Sequence, residues 1–293
     1  MVLEFIKSVI LGIVEGITEW LPVSSTGHLI LVNQFLNLHV SDNETVNEGF
    51  IEMFDVVIQL GAIMAVVVIF WKKLFPFGKE NNKYPWRKEG FGAYLKMNII
   101  RMWFKVAVAC VPAAVIGFLV DDWIDEHLYN PWVVALALIT FGIAFIVVEN
   151  WNKKRKPKVN SIRELTYQSA LIIGGFQLLA ALFPGTSRSG ATIVGALLIG
   201  ISRTVAAEFT FYLAVPVMFG ASLLKLVKYD GGFTASQLGI LAVGMIVAFV
   251  VSVFVIKFFM DYIKKHDFKV FGWYRIVLGA IVLIYFGIKT AIA

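Results

Sequence analysis

The sequence has little charge: only 16% of its 293 residues are Asp, Glu, Lys or Arg, against about 25% in a typical soluble domain. It has a single cysteine, which excludes an intrachain disulfide framework. Hydrophobic residues make up 59% of the chain and its mean hydropathy is +0.79. These values exclude intrinsic disorder and a nucleic-acid partner. They predict an integral membrane protein that forms one membrane domain over residues 1–293.

Six apolar stretches are long enough to cross a bilayer as helices, which requires about 20 residues each. They lie near 52–71, 102–120, 131–149, 204–226, 236–260 and 271–290. The predicted fold class is therefore all-α, with six transmembrane helices.

Two further apolar stretches, 3–36 and 165–200, are interrupted by polar residues and proline at 15–28 and 183–190. Each predicts a re-entrant segment, in which a half-helix, a polar loop and a second half-helix enter the membrane and return on the same side. Irregular backbone at that depth needs protein or a water-filled cavity around it. Two ordinary spans with kinks are the alternative.

The basic residues orient the chain. Segments 72–105, 150–164 and 257–270 contain nineteen of the 26 Lys and Arg residues. Loops rich in Lys and Arg stay on the cytoplasmic side. Segments 38–51 and 121–130 have acidic residues but no Lys or Arg, so we expect them outside.

The two interrupted stretches align when the chain is shifted by 162 residues. The aligned pairs are Gly12 with Gly174, Glu15 with Gln177, Pro22 with Pro184, and Ser25 with Ser187. Each stretch precedes three spans, and an odd number of spans turns the second unit upside down. The pattern predicts an inverted-topology repeat over about 1–150 and 163–293, whose two loops meet near the midplane.

Glu15 and Glu19 are four residues apart and share one face of a helix. Ionisable groups at membrane depth indicate function, and two adjacent carboxylates favour a cation between them. Oxygen-ligated Mg²⁺ or Ca²⁺ is the expected cofactor. An interfacial helix with its acidic face in water is the alternative.

The first loop continues with the hydroxyl residues Ser24, Ser25 and Thr26, followed by His28. Hydroxyls beside an imidazole suit nucleophilic attack with acid–base assistance. They also suit the N-cap of the next half-helix. The sequence leaves open whether Ser25 or His28 is the nucleophile.

The second loop is small, rich in hydroxyls and contains Arg188. Amides at a helix N-terminus and an Arg fork both bind phosphate, although the alternative is an Arg that reaches the membrane surface. The substrate-binding candidates are Ser24, Thr26, Gln177, Gly185, Thr186, Ser187, Ser189 and Thr192. Carboxylates, a hydroxyl and an imidazole facing an anion clamp suit phosphoryl transfer.

Residues 15–28 and 184–192 resemble the two signature motifs of the undecaprenyl-pyrophosphate phosphatases, the BacA/UppP family. The resemblance implies a multi-pass enzyme of the bacterial inner membrane. The implied reaction removes the terminal phosphate from undecaprenyl pyrophosphate, which yields the lipid carrier of peptidoglycan synthesis. Divalent-cation dependence is implied, as is bacitracin resistance, because bacitracin binds the same lipid.

The resemblance also assigns roles to residues. Glu19, Ser25, His28 and Arg188 are expected to be catalytic, and Glu15 and Glu19 to hold the metal. The expected partners are a polyprenyl pyrophosphate lipid and the membrane, with a homodimer as one candidate assembly. The polar first loop predicts an active site that faces the extracytoplasmic side. A transporter or flippase of a lipid phosphate is the runner-up, because it shares the inverted repeat.

Overall fold

The computed structural model describes residues 2–79 and 82–292, without the side chains of residues 117, 118, 121, 122 and 125. Within these residues the chain is all-helical and has no β-strand. The helices are α1 (Val2–Thr18), α2 (Ser25–Asn33), α3 (Glu44–Ile69), α4 (Trp71–Leu74), α5 (Met97–His127), α6 (Pro131–Asn152), α7 (Tyr167–Leu182), α8 (Arg188–Leu198), α9 (Arg203–Lys228), α10 (Ala235–Tyr262) and α11 (Lys269–Ile292). The predicted all-α fold class is confirmed.

Six helices of the described chain are long and apolar enough to cross a membrane: α3, α5, α6, α9, α10 and α11. They coincide with the six predicted spans, which makes the chain a multi-pass membrane protein. Helix α3 begins at Glu44, earlier than expected, because the Asn43 side chain accepts a hydrogen bond from the Val46 N–H at 3.2 Å and caps it.

The predicted outer segment 121–130 is shorter than expected, because α5 continues through it to His127. The acidic side chains of Asp121, Asp122 and Asp125, which contributed to that prediction, lie outside the described residues. The segment ends at Asn130, whose side chain caps α6 by accepting a hydrogen bond from the Val133 N–H at 3.1 Å.

Close backbone contacts hold the two long interrupted stretches against spans. Helix α1 packs on α10, and α7 packs on α5. A Cβ atom at Gly12 would lie 2.6 Å from the Gly244 carbonyl oxygen, and one at Gly174 would lie 2.3 Å from that of Ala109. Small residues permit such approaches, which replace the hydrophobic effect as a source of helix association in a membrane.

The short helix α8 lies inside the protein. All of its residues from Ser189 to Leu197 are buried, and it contacts α6, α7 and α9. Helix α2 contacts α1, α6 and α11. The loops that precede α2 and α8 therefore end in the protein interior, where backbone polar groups need partners from the protein itself.

Candidate functional site

The short helices α2 and α8 start from the same unusual backbone conformation. Ser24 precedes α2 with φ 75°, and Ser187 precedes α8 with φ 67°. A left-handed Ser is uncommon and strained. Each Ser side chain accepts a hydrogen bond from the N–H three residues later, at Gly27 (3.3 Å) and Gly190 (3.2 Å). The N-cap interpretation of Ser24 is therefore confirmed, and Ser187 has the same role.

This geometry corrects the alignment of the two loops. The sequence pairs Ser25 with Ser187 at an offset of 162, but the matching caps are Ser24 and Ser187, at an offset of 163. The second loop lies one residue further along its stretch. Ser25 and Arg188 are consequently equivalent: each is the first residue of its half-helix.

The Glu19 carboxylate joins the two loops. Its Oε1 accepts a hydrogen bond from Arg188 Nη2 at 2.7 Å, and its Oε2 accepts one from Ser25 Oγ at 2.8 Å. Ser189 Oγ donates to the Glu19 backbone carbonyl at 3.4 Å. Glu19 and Ser25 are each less than a tenth exposed. A hydroxyl, a carboxylate and a guanidinium thus form one buried, connected group.

Thr192 in α8 and Thr210 in α9 hold Arg188 in place. Thr192 Oγ1 donates to the Arg188 carbonyl oxygen at 2.8 Å and lies 2.8 Å from Thr210 Oγ1. Arg188 Nη1 donates to the Thr210 carbonyl oxygen at 3.3 Å. Ser187 and Ser189 share a hydrogen bond of 3.1 Å. The guanidinium itself is held by Thr210 and Glu19, and the Arg188 side chain is only 12% exposed, so it does not extend to the protein surface as the alternative required.

His28 belongs to a separate part of the site. Its Nδ1 lies 2.7 Å from the Ser24 carbonyl oxygen and its Nε2 lies 2.7 Å from the Tyr274 hydroxyl. A carbonyl only accepts, so Nδ1 carries a proton; if the ring is neutral, Nε2 then accepts the hydrogen bond of Tyr274. Both ring nitrogens are therefore bonded to groups other than the Ser25 hydroxyl.

Several buried polar atoms have no hydrogen-bond partner among the described residues. They include both carboxylate oxygens of Glu15, both amide atoms of Gln177 and Oγ1 of Thr186. Glu15 is fully buried, and Gln177 is 2% exposed. Buried polar atoms are almost always paired in native proteins, so these atoms are candidates for contact with a substrate, an ion or water. Among the remaining predicted binding residues, Thr26 is half-buried.

The Glu15 carboxylate has the donor chemistry that a hard cation requires. Glu19 and Asp55 lie close enough for their charges to act on it. Within the described chain, no cluster of three or more His, Cys, Asp or Glu side chains has metal-binding geometry. Glu15 and Glu19 are the two carboxylates predicted to hold the cation. That number is typical of Mg²⁺, which often binds through one or two carboxylates together with substrate phosphates.

Arg275 is a site residue that the sequence analysis missed. Its fully buried guanidinium donates to the carbonyls of Pro22 (3.3 Å), Gly185 (3.0 Å) and Thr186 (2.7 Å). A fourth bond reaches the Leu138 carbonyl at 3.4 Å. One side chain thus ties both loops together. A charged residue inside the span predicted at 271–290 was the available signal.

Tyr274 and Asp55 were missed for the same reason. Tyr274 precedes Arg275 in α11, and its ring stacks on His28 with centroids 5.6 Å apart. Asp55 lies in α3, and its Oδ2 accepts a hydrogen bond from Asn33 Nδ2 at 3.0 Å. Both were treated as parts of apolar spans, where polar groups face the interior.

We predict that Arg275→Met lowers the free energy of unfolding by more than about 2 kcal/mol, because each buried carbonyl left without a partner costs about 1–3 kcal/mol. Thermal unfolding in detergent measures this loss, and hydrogen exchange should accelerate in both loops. Lys289→Met is the matched control, since Lys289 is exposed on the same helix and its hydrogen bond goes to the side chain of Gln34. Equal stability of the two variants would contradict the role of Arg275.

Comparison with known proteins identifies the family. The sequence model of the family described as "Bacitracin resistance protein BacA" matches residues 8–281. A protein of Desulfitobacterium hafniense named "Undecaprenyl-diphosphatase" is 59% identical over 289 residues, which is 99% of this chain and 98% of that protein. "Undecaprenyl-diphosphatase 1" of Clostridium acetobutylicum is 56% identical over 284 residues, which is 97% of this chain and 98% of that protein. An "Undecaprenyl-diphosphatase" of Enterococcus faecalis is 58% identical over 282 residues, which is 96% of this chain and 97% of that protein. The chain belongs to the BacA family.

Proposed function

We propose that this chain is a membrane phosphatase that hydrolyses undecaprenyl diphosphate to undecaprenyl phosphate and inorganic phosphate. The reaction recycles a lipid carrier for cell-wall synthesis. Relatives that are 53–59% identical have the name undecaprenyl-diphosphatase. The observation that carries the proposal is the hydrogen-bonded group of Ser25, Glu19 and Arg188. It combines a hydroxyl, a proton acceptor and a cation, which phosphoryl transfer requires.

In the first step, the Ser25 hydroxyl attacks the terminal phosphorus. Its proton passes to Glu19 Oε2, which accepts the Ser25 hydrogen bond at 2.8 Å. The bond between that phosphorus and the bridging oxygen breaks, and Glu19 returns the proton to the departing lipid phosphate. Arg188 neutralises charge on the transferred group, because a guanidinium matches phosphate oxygens. A phosphoserine and the lipid monophosphate are the products of this step.

In the second step, water hydrolyses the phosphoserine. Glu19 takes a proton from the attacking water, whose oxygen bonds to phosphorus. The bond between phosphorus and Ser25 Oγ breaks, and Glu19 transfers its proton to Ser25 Oγ. Inorganic phosphate leaves and the resting site is restored, with Glu19 acting first as base and then as acid in each of the two steps.

The other residues of the two loops bind the substrate phosphates or hold the catalytic residues in position. Gln177 and Thr186 have side-chain polar atoms without partners, so they are available for phosphate oxygens, and half-buried Thr26 is a further candidate. Ser187 and Thr192 hold the second loop through their own hydrogen bonds. His28 holds the Ser24 carbonyl and thereby the residue before Ser25, so we assign it a positioning role.

The runner-up function is transport of a lipid phosphate on the same architecture. A carrier requires an anion clamp, and Arg188 would serve it as well as it serves an enzyme. A carrier has no use for a serine hydroxyl hydrogen-bonded to a buried carboxylate, which is an arrangement that activates a nucleophile. The pair of Ser25 and Glu19 therefore favours the phosphatase.

We predict that purified protein in detergent releases inorganic phosphate from undecaprenyl diphosphate, which a carrier without compartments does not do. Ser25→Ala, Glu19→Gln and Arg188→Ala should each reduce turnover at least about a hundredfold. Ser41→Ala, a change in the predicted outer segment, is the control and should keep full activity.

Substrate labelled with ³²P in its terminal phosphate should leave label on Ser25. Turnover by Ser25→Ala above a tenth of normal would refute the nucleophile.

A divalent cation, Mg²⁺ or Ca²⁺, fits this site as a cofactor, with the Glu15 carboxylate as its main protein ligand. When bound, it would neutralise charge on the diphosphate. Both oxygens of Glu15 lack partners, whereas each oxygen of Glu19 already accepts a hydrogen bond. Glu19 retains lone pairs with which it could also bind the cation. Its hydrogen bonds to Ser25 and Arg188 are nevertheless its main contacts.

We predict that Glu15→Gln weakens Mn²⁺ binding about tenfold or more, because the neutral amide loses the ligand charge that a hard cation prefers. Electron paramagnetic resonance measures free Mn²⁺ in the presence of lipid diphosphate, and a Ser25→Ala background prevents turnover. Glu44→Gln, which changes an exposed carboxylate, should leave binding unchanged. Equal affinity of Glu15→Gln and Glu44→Gln would remove Glu15 from the cation site.

We further propose that α1–α2 and α7–α8 are re-entrant segments of an inverted-topology repeat over about 1–150 and 163–293. Support comes from the equivalent caps at Ser24 and Ser187 and from the equivalent close contacts at Gly12 and Gly174. Three spans follow each segment, which inverts the second unit. The basic loops then lie in the cytoplasm, and the first loop opens to the extracytoplasmic side.

This orientation predicts the reactivity of introduced cysteines in a Cys110→Ala background. Thr26→Cys should react with a membrane-impermeant maleimide added to intact cells, because half-buried Thr26 lies in the first loop. Lys154→Cys should react only after lysis, because it lies in the basic segment 150–164. Reaction of Lys154→Cys in intact cells, or reaction of Thr26→Cys only in inverted vesicles, would overturn the outward-facing site.

A further inference from the structure

A second polar cavity lies away from the Ser25 site. Its volume is about 780 Å³, within the range of small-molecule sites. It is lined by the ends of α6, α8 and α10, the start of α11, and the segment 153–158. These elements share the membrane face that we propose to be cytoplasmic.

The basic segment forms a fixed wall of this cavity. The Lys158 N–H donates to the Gly200 carbonyl oxygen at 2.7 Å, and the Ser202 N–H donates to the Val159 carbonyl oxygen at 2.9 Å. Asn152 Nδ2 donates to the Leu197 carbonyl at 2.9 Å. The segment is thereby attached to the turn between α8 and α9, so its cations are held around the cavity.

The charge around the cavity is unbalanced. Its six basic lining residues are Lys153, Arg155, Lys156, Lys158, Arg203 and Lys269, and its two acidic residues are Glu149 and Asp267. Both acids are already paired: Glu149 with Arg203 at 2.5 Å, and Asp267 with Lys269 at 3.7 Å. Four cations therefore remain without an acidic partner in the cavity.

Arg203 is positioned to bind an anion. The carboxylate of Glu149, which is 2% exposed, accepts hydrogen bonds from Arg203 Nε at 2.8 Å and Nη2 at 2.5 Å. The Phe268 N–H donates to the same carboxylate at 3.0 Å and fixes it. These bonds fix the plane of the guanidinium without using Arg203 Nη1, and Arg203 lines the same cavity as the lysines.

One side of the cavity is apolar. Leu197, Leu198 and Ile199 line it, and Leu198 is 45% exposed. Trp151 is exposed next to the cavity, and the Arg155 guanidinium lies over its ring, 4.5 Å from the ring centroid. Tryptophan at the end of a span marks the interface between membrane and water. The cavity thus offers cations for a phosphate and an apolar surface for the chain attached to it.

We infer that this cavity binds the phosphate headgroup of an anionic phospholipid in the leaflet on the same side. Basic pockets between transmembrane helices are suited to anionic headgroups. A soluble phosphate would use the same cations but not the apolar wall of Leu197, Leu198 and Ile199. The site is distinct from the Ser25 site, and none of its residues belongs to the proposed catalytic group.

The test is a titration of the purified full-length protein with phosphatidylglycerol, phosphatidylcholine and inorganic phosphate, followed by native mass spectrometry. We expect phosphatidylglycerol to bind at least tenfold more tightly than phosphatidylcholine. The triple variant Lys153→Gln, Lys156→Gln, Lys158→Gln should lose at least tenfold in affinity for phosphatidylglycerol. Leu198→Asn should weaken phosphatidylglycerol binding but not phosphate binding.

The control is the triple variant Lys79→Gln, Lys88→Gln, Lys265→Gln, which removes the same charge from the same face but lines no part of this cavity. It should bind phosphatidylglycerol within twofold of the unmodified protein. Both triple variants should retain phosphatase activity, which verifies their folding. Equal losses in both triples, or no loss in either, would overturn the site. Phosphate binding as tight as that of phosphatidylglycerol, with Leu198→Asn unchanged, would overturn the assignment to a lipid.

Discussion

Two broken helices can meet inside a membrane protein only if the carbonyls of their loops find donors, because the hydrocarbon region supplies none. The buried guanidinium of Arg275 supplies them to Pro22, Gly185 and Thr186. Arg is suited to this task because its planar head carries five N–H donors and stays charged. Since the bonds reach both loops, the relative position of α2 and α8 depends on this one residue of α11.

Once the two loops are held together, Glu19 is the residue that connects their functional groups. Its carboxylate contacts a hydroxyl from one half-helix and a guanidinium from the other. A buried carboxylate requires such partners, since an unpaired charge there would be far more costly than the pair. In the proposed mechanism, the same contacts prepare Ser25 for attack and leave Arg188 beside the incoming phosphate. The stability of the loops and the proposed reactivity therefore have a common origin.

The predictions from sequence succeeded where the determining property is local. Six spans follow from hydropathy over about 20 residues, and Asn43 and Asn130 are caps that a local pattern explains. The candidates Glu19, Ser25, Ser189 and Arg188 were recognised as charges and hydroxyls in apolar surroundings, and the structure brings them together. The alignment paired Ser25 with Ser187, whereas the two N-caps with positive φ are Ser24 and Ser187, because adjacent serines cannot be told apart until the cap hydrogen bonds are seen.

The sequence by itself thus determined the membrane class, the number of spans, the places where two helices break and the residue types at those breaks. Tertiary structure alone decided that Ser25 bonds to Glu19 while His28 bonds to Tyr274, 246 positions away, and that Arg275 ties the loops. The physical reason is the distance along the chain over which each interaction acts. Hydropathy and capping act over a few residues of one helix, whereas a hydrogen bond across the bundle depends on how close contacts such as those of Gly12 and Gly174 set the helix positions.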